Sequence, residues 1–223
     1  MEPNLNSDQV LPAPLWTAVL FVDLRGYMKL AEQVPSAELS RLLDVFFRSL
    51  VHAVEKHGGR VYHIAGDGLM ASFGLRESPR KGARAAIACA SFMLRQFTPI
   101  AAAWLDSTSL QLAIGIGIHV GEVSLLQVHG ASGREFSTLV GDTVNVAARL
   151  CDRARAGEVL FSDQVAIAVA PDKLAAVPVA GSFLKLPQLS LRGRLEPLDI
   201  WCLPARTRIE LQKPAETGSE LRH

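Results

Sequence analysis

Two aspartates stand where apolar runs give way to turns. Asp23 follows Thr17 to Val22, TAVLFV, and Asp67 sits inside Gly66-Asp67-Gly68. A carboxylate at the end of a buried strand is costly unless something binds it. Two readings of Asp23 are open at this point: a cap on the helix that begins in LRGYM, or a metal ligand. An Asp-Gly turn between strands accounts for Asp67 as a hairpin residue. From a sharp turn its carboxylate can also reach a second strand end. Together the pair offers the hard oxygens that magnesium or manganese prefers. Gly26 and the amides after it can face a phosphate, as helix starts do.

The second candidate is Gly141 to Leu150, GDTVNVAARL. Gly141 and Asp142 read as a turn, with Asp142 or Thr143 capping the first free amides. Val144, Ala147, Ala148 and Leu150 have helical apolar spacing. Asn145 and Arg149 are four apart, so both leave the same face. An amide beside a guanidinium suits a ribose and a phosphate. The plainer reading is a solvated face with an arginine well placed near the helix end.

The elements that must position these groups can be read in order. Thr17 to Val22 has the length and continuity of a buried central strand. Ser36 to His57 reads as an amphipathic helix. Its stripe is Leu39, Leu42, Leu43, Phe46, Leu50 and Val54, with Ser36 as N-cap and Gly58-Gly59 as the stop. His52 and His57 fall outside the stripe and read as solvated. Arg60 to Ala65 and Leu69 to Phe73 read as a hairpin around Asp67. Pro79 to Phe97 is an alanine-rich helix. Leu110 to Val120 alternates, with Leu112, Ile114, Ile116 and Ile118 on one face. Gly115 and Gly117 lie on the other, where something must approach closely. Gly121 is expected to turn the chain into an antiparallel strand, Glu122 to Val128, followed by a loop at Gly130 to Gly133. Glu158 to Phe161 is a short strand, and Ser162 caps a helix through Val169. Phe183 to Leu191 and Leu198 to Leu203 pair around Arg192-Gly193. The pattern predicts one α/β (α+β) domain, residues 16–203, with a mostly antiparallel sheet and helices on one face. Residues 1–15 and 204–223 read as flexible arms.

Composition bounds the function. The chain has 223 residues, 49% hydrophobic and 20% charged, which is a globular balance with length for one substantial core. A net charge of +1 argues against a generic nucleic-acid or anionic-membrane surface. No run of 18 apolar residues exists, so no membrane span is expected. The start MEPNLNSDQV does not read as a secretory signal. The three cysteines, Cys89, Cys151 and Cys202, read as reduced core thiols, which together predicts a cytoplasmic protein.

With these residues in place, the chain resembles the catalytic domain of the class III nucleotide cyclases. FVDLRGY is similar to the family's first metal motif, and IAGDGLMASFG to the hairpin with its second metal aspartate. HVGEV from His119, GDTVNVAARL as the signature helix, and LRGRLEPLDIW from Leu191 follow in order. The resemblance covers residues 17–203. It implies a ferredoxin-like palm and a head-to-tail homodimer with two composite sites. Asp23 and Asp67 of one subunit would hold two Mg²⁺ (or Mn²⁺) ions. From the other subunit Asn145 would place the ribose, and Arg149 would meet the charge at the reacting phosphate. Arg192 falls where the family has a lysine for the triphosphate. The implied reaction is attack of the ribose 3′-oxygen on the α-phosphorus with loss of pyrophosphate.

Two positions depart from the family's base-selecting pair. His63 stands where adenylyl members carry lysine, and Thr138 where they carry aspartate. Threonine there resembles the bacterial IIIb subclass, which makes cyclic AMP and often responds to bicarbonate. A plainer reading makes His63 only a half-buried strand residue. The implied activity is that of an adenylate cyclase-type phosphorus–oxygen lyase, with ATP as the expected substrate. The alternatives are GTP or a pyrimidine triphosphate, and a nucleotide-binding or dimerisation module without turnover. Arms this short are expected to hold no sensor domain, so control is expected from a partner protein, bicarbonate or expression level.

Overall fold

A computed structural model describes residues 14–75, 77–129, 133–179, 181–191 and 196–204. The two expected arms fall almost wholly outside the described residues, and so does Arg192. The strands are β1 (Leu15–Arg25), β2 (Gly59–Ala65), β3 (Gly68–Phe73), β4 (Ala113–His129), β5 (Glu135–Val140), β6 (Val159–Ser162), β7 (Leu184–Leu189) and β8 (Leu198–Leu203). They form one sheet in the order β2-β3-β1-β4-β6-β8-β7, with β5 paired to β4. Every pairing is antiparallel except β4 with β6. The expected mostly antiparallel α/β sheet is the one observed.

Alternation along β1 divides the core. Ala18, Leu20, Val22 and Leu24 are buried on one face beside Ile114, Ile116, Ile118 and Val120 of β4. Over them lie α2 (Ser36–Lys56), α3 (Pro79–Thr108) and α5 (Asp163–Val169). Val19 points the other way, to a cluster with Met70, Val123, Leu139 and Ala147. Ala147 belongs to α4 (Asp142–Arg153), so helices cover both faces, which corrects the expectation of one. The spacing of Gly115 and Gly117 announced this close approach without naming its partner. A Cβ at Gly117 would stand 2.8 Å from Cys151 Cα.

Three other elements differ from the sequence reading. α3 does not stop at Phe97 but runs through Pro99 to Thr108. An interior proline costs about 3 kcal/mol. Beyond it Trp104 is buried and meets Phe46 and Phe97 nearly edge-on, at centroid distances of 6.2 and 5.8 Å. That burial and ring contact, roughly 2–4 kcal/mol together, offset the proline. β4 does not turn at Gly121; it continues straight to His129. Gly121 is there for room, because a Cβ would collide with Thr143 Oγ1. β5, which no pattern announced, pairs with the far half of β4 from Ser124↔Val140 to His129↔Glu135.

The helix caps also differ. Gly141 occupies the N-cap of α4 without a side chain, and Thr143 Oγ1 instead donates to Glu122 O at 2.7 Å. Pro35, not Ser36, is the N-cap of α2. Ser162 does precede α5, but its hydroxyl meets His119 Nδ1 at 2.6 Å rather than the helix amides. His57 is not simply solvated: its Nδ1 lies 2.8 Å from Ala53 O and its ring packs beside Phe92. Two short helices, α1 (Tyr27–Gln33) and α6 (Pro171–Leu174), complete the set. Among the described residues α3 alone is long and apolar enough to cross a bilayer. Its Ala83, Ala86, Ile87, Ala90 and Met93 are buried in the core.

Candidate active site

Asp23 lies within β1 rather than after it, with Gly68 as its register partner on one side and Gly115 on the other. The helix-cap reading of Asp23 therefore falls: Gly26, at φ +94°, is the N-cap of α1. A Cβ at Gly26 would stand 2.8 Å from Leu112 Cδ2, so both turn and space require glycine there.

Asp67 is brought to Asp23 by the hairpin. Ala65 and Gly68 are register partners, leaving Gly66 and Asp67 as a two-residue turn with Gly66 at φ +59°. The turn docks on β1 through Leu24 N donating to Asp67 O at 3.3 Å. Gly68 sits directly beside the Asp23 carboxylate, since a Cβ there would lie in ordinary contact with Asp23 Oδ1 at 3.6 Å. Burial, then the neighbouring Asp67 carboxylate, pushes the Asp23 carboxyl up to about 6, against the lowering effect of Arg25. Two carboxylates crowded together, one of them pushed up by burial and by its neighbour, are the donor set a hard divalent cation relieves, so these residues fit Mg²⁺ or Mn²⁺.

Arg25 was not singled out from the sequence. Its Nη1 donates to Asp23 Oδ2, its Nε to Ala154 O at 3.2 Å, and its Nη2 to Cys151 O. The period of a strand was the available signal, because residues i and i+2 share a face.

Asn145 and Arg149 ride on α4. Thr143, Val146, Ala147, Leu150 and Cys151 form its buried side. Asn145 is exposed and Arg149 half-buried. The charges acting on Asp23 are those of Asp67, Arg25 and Asp152, with Arg149 not among them.

His63 and Thr138 lie on two different strands. His63 follows a bulge in β2 and pairs with Met70, which turns it to the α4 face, where it is exposed. The extra residue, Tyr62, packs on the Val19–Met70–Leu139 cluster. β5 runs close to β2. Thr138 pairs with Leu126 on β4 and is half-buried. Its neighbour Leu139 is buried, so Thr138 faces the opposite side of the β4–β5 ribbon. By register that side also carries Leu126, Val128, Phe136 and Val140, which are 40–60% exposed.

The three cysteines are free and buried, as expected of core thiols. Burial pushes Cys89 and Cys151 up to about 12 and Cys202 up to about 11, which leaves them as poor nucleophiles.

Comparison with known proteins places this arrangement. The chain spans about a quarter to a third of the length of the curated relatives it matches. One is the uncharacterized protein Rv1320c of Mycobacterium tuberculosis, 31% identical over 203 residues, covering 90% of this chain and 32% of that protein. The adenylyl cyclase CyaB from P. aeruginosa has a similar structure, with a TM-score of 0.76, 25% identity, and coverage of 87% of this chain and 96% of that one. The guanylyl cyclase Cya2 shares the fold at a TM-score of 0.74 and 24% identity, covering 87% and 94%. The model of the adenylate and guanylate cyclase catalytic domain matches residues 16–186, which include both carboxylates, the hairpin between them and the whole of α4. The chain therefore belongs to the adenylate and guanylate cyclase catalytic domain family.

Proposed function

We propose that residues 16–203 form an adenylyl cyclase that converts ATP to 3′,5′-cyclic AMP and pyrophosphate in a head-to-tail homodimer. The observation that carries this reading is that Arg149 does not act on the carboxylate pair of its own chain. Asp23 and Asp67 meet, and the charges acting on Asp23 are those of Asp67, Arg25 and Asp152. A site that needs both pairs is then completed by a second copy. The uncovered apolar side of the β4–β5 ribbon supports association.

Asp23 and Asp67 would hold the divalent cations. When bound, such ions supply positive charge that acidifies the ribose 3′-hydroxyl and offsets the triphosphate. The partner's copy of the signature helix supplies the remaining polar groups. The Asn145 amide fixes the ribose, and Arg149 donates to the α-phosphate oxygens, where negative charge gathers. Arg192 would grip the triphosphate with a forked guanidinium. The 3′-oxygen bonds to the α-phosphorus and gives up its proton to solvent. The bond to the β-phosphate oxygen breaks, and pyrophosphate leaves with that electron pair.

ATP is favoured over GTP by threonine at 138, the residue that resembles the cyclic-AMP-forming subclass. A looser base preference has its own support. His63 is exposed, and both His63 and Thr138 carry groups that can donate or accept. The test is incubation with each of the four nucleoside triphosphates and Mn²⁺, reading cyclic product and pyrophosphate. ATP is expected to be used best. A preference for UTP, CTP or GTP overturns the adenylyl assignment, and no cyclic product from any of them overturns the activity.

A further inference from the structure

Arg25 has no role in the reaction as described, yet it touches both halves of the machinery. The carbonyls it holds, Cys151 O and Ala154 O, lie in the last turn and at the C-cap of α4. Cys151 O also accepts from Ala154 N at 3.0 Å, and carbonyls at a helix end carry partial negative charge. A guanidinium from β1 therefore finishes α4, and the same guanidinium binds the Asp23 carboxylate. A planar fork can hold three spread acceptors with three separate nitrogens, as Nη1, Nη2 and Nε do here. The space for it is provided by Gly115, where a Cβ would stand 2.7 Å from Nε.

A divalent cation at Asp23 meets this guanidinium as a like charge competing for the same carboxylate. We propose that Arg25 is a positioning residue that couples the carboxylate pair to α4: cation binding draws Asp23 away from the guanidinium and loosens the C-terminal turn of the helix that carries Asn145 and Arg149. The inference rests on the reading of Asp23 and Asp67 as the cation site. In a head-to-tail dimer it has a consequence for communication. The α4 that answers to one site's carboxylates delivers its Asn145 and Arg149 to the other site, so filling one site adjusts the second.

The test uses the whole chain without nucleotide. Mn²⁺ affinity is measured by calorimetry, and hydrogen exchange is followed at the amides of residues 150–155, for wild type, Arg25→Ala, Arg25→Lys and Asp67→Ala. In wild type, Mn²⁺ should speed exchange in that turn by about threefold or more, because a turn that loses its tether opens more readily. Arg25→Ala should exchange fast with or without metal and bind Mn²⁺ roughly tenfold more tightly, since a unit charge close to the ion is gone. Arg25→Lys keeps the charge and loses the fork. It should bind Mn²⁺ about as wild type does, with exchange that no longer responds to metal, and it carries the test if the alanine variant does not fold. Unchanged or slowed exchange in wild type on Mn²⁺ binding overturns the coupling while the cation site stands. Equal Mn²⁺ affinity in wild type and Asp67→Ala overturns the cation site, and the coupling with it.

Discussion

Arg25 occupies the space that Gly115 leaves empty. The two residues face each other across adjacent strands, β1 and β4, with Arg25 paired to Ala113 and Asp23 to Gly115. Two positions along β4, Gly117 leaves space of a different kind, filled by the backbone of α4.

The two glycines should therefore respond differently to alanine. At Gly115 the new methyl meets a side chain, which can move after giving up hydrogen bonds worth about 1–3 kcal/mol. At Gly117 it meets helix backbone, and the whole of α4 must shift, costing about 3 kcal/mol or more. Urea melts should rank Gly117→Ala well below Gly115→Ala, which lies below wild type. Equal stability of wild type and Gly117→Ala would contradict the packing described.

Asp23 predicts a pH effect whose sign is opposite in the metal-free and metal-loaded chains. Its folded-state value, about 6, lies above the ordinary 3.8. The metal-free fold thus favours the protonated form. That contribution is complete below pH 3.8 and is lost as pH rises through 6. Asp23→Asn should raise the metal-free Tm at pH 7.5, and the gain should shrink by pH 5. Mn²⁺, which needs the carboxylate ionised, should raise the wild-type Tm more at pH 7.5 than at pH 5. A metal-induced shift that grows as pH falls would be wrong for this site.

The carboxylates should also govern turnover. Asp23→Ala and Asp67→Ala should each remain folded and lose activity by about a hundredfold or more, on the order of the charge stabilisation that bound cations supply. Retention of most Mn²⁺-supported activity by either variant would remove that residue from the cation site.

Under the proposed assignment, base preference rests on two residues that accept more than one hydrogen-bond pattern. A site that demands one pattern rejects the wrong base strongly, because buried groups are left unpaired. With His63 and Thr138 the margin for ATP should be modest, about ten- to a hundredfold in kcat/KM over GTP or a pyrimidine triphosphate. His63→Lys should widen that margin. An unchanged ratio would mean that His63 does not face the base.

Much of this arrangement is legible in the residues themselves. Asp23 and Asp67 stand out because charge at the edge of apolar runs has few structural uses. Gly115 and Gly117 announced a close approach through their alternation. What stayed hidden depended on tertiary partners. Pro99 reads as a helix end, yet the burial of Trp104 against Phe46 carries α3 past it. Gly121 reads as a turn, yet it is a gap for Thr143 in a strand that runs straight on. β5 was missed because Leu126, Val128, Phe136 and Val140 sit on an uncovered face, which blurs the usual contrast of inside and outside. Arg25 was missed because its partners, the carbonyls of Cys151 and Ala154, are backbone atoms and leave no trace in side-chain spacing.

The central claim is that each active site takes its carboxylates from one subunit and its Arg149 from the other. Asp67→Ala and Arg149→Ala should each be inactive as homodimers. Mixed at equal amounts by co-refolding or co-expression, half of the dimers are heterodimers, each with one doubly broken site and one intact site. Activity should then return to roughly a quarter of the wild-type value at equal total protein, as two-fold symmetry requires. Mixed dimers that form, as shown by capture through a tag on one variant only, and yet recover no activity would contradict the composite site.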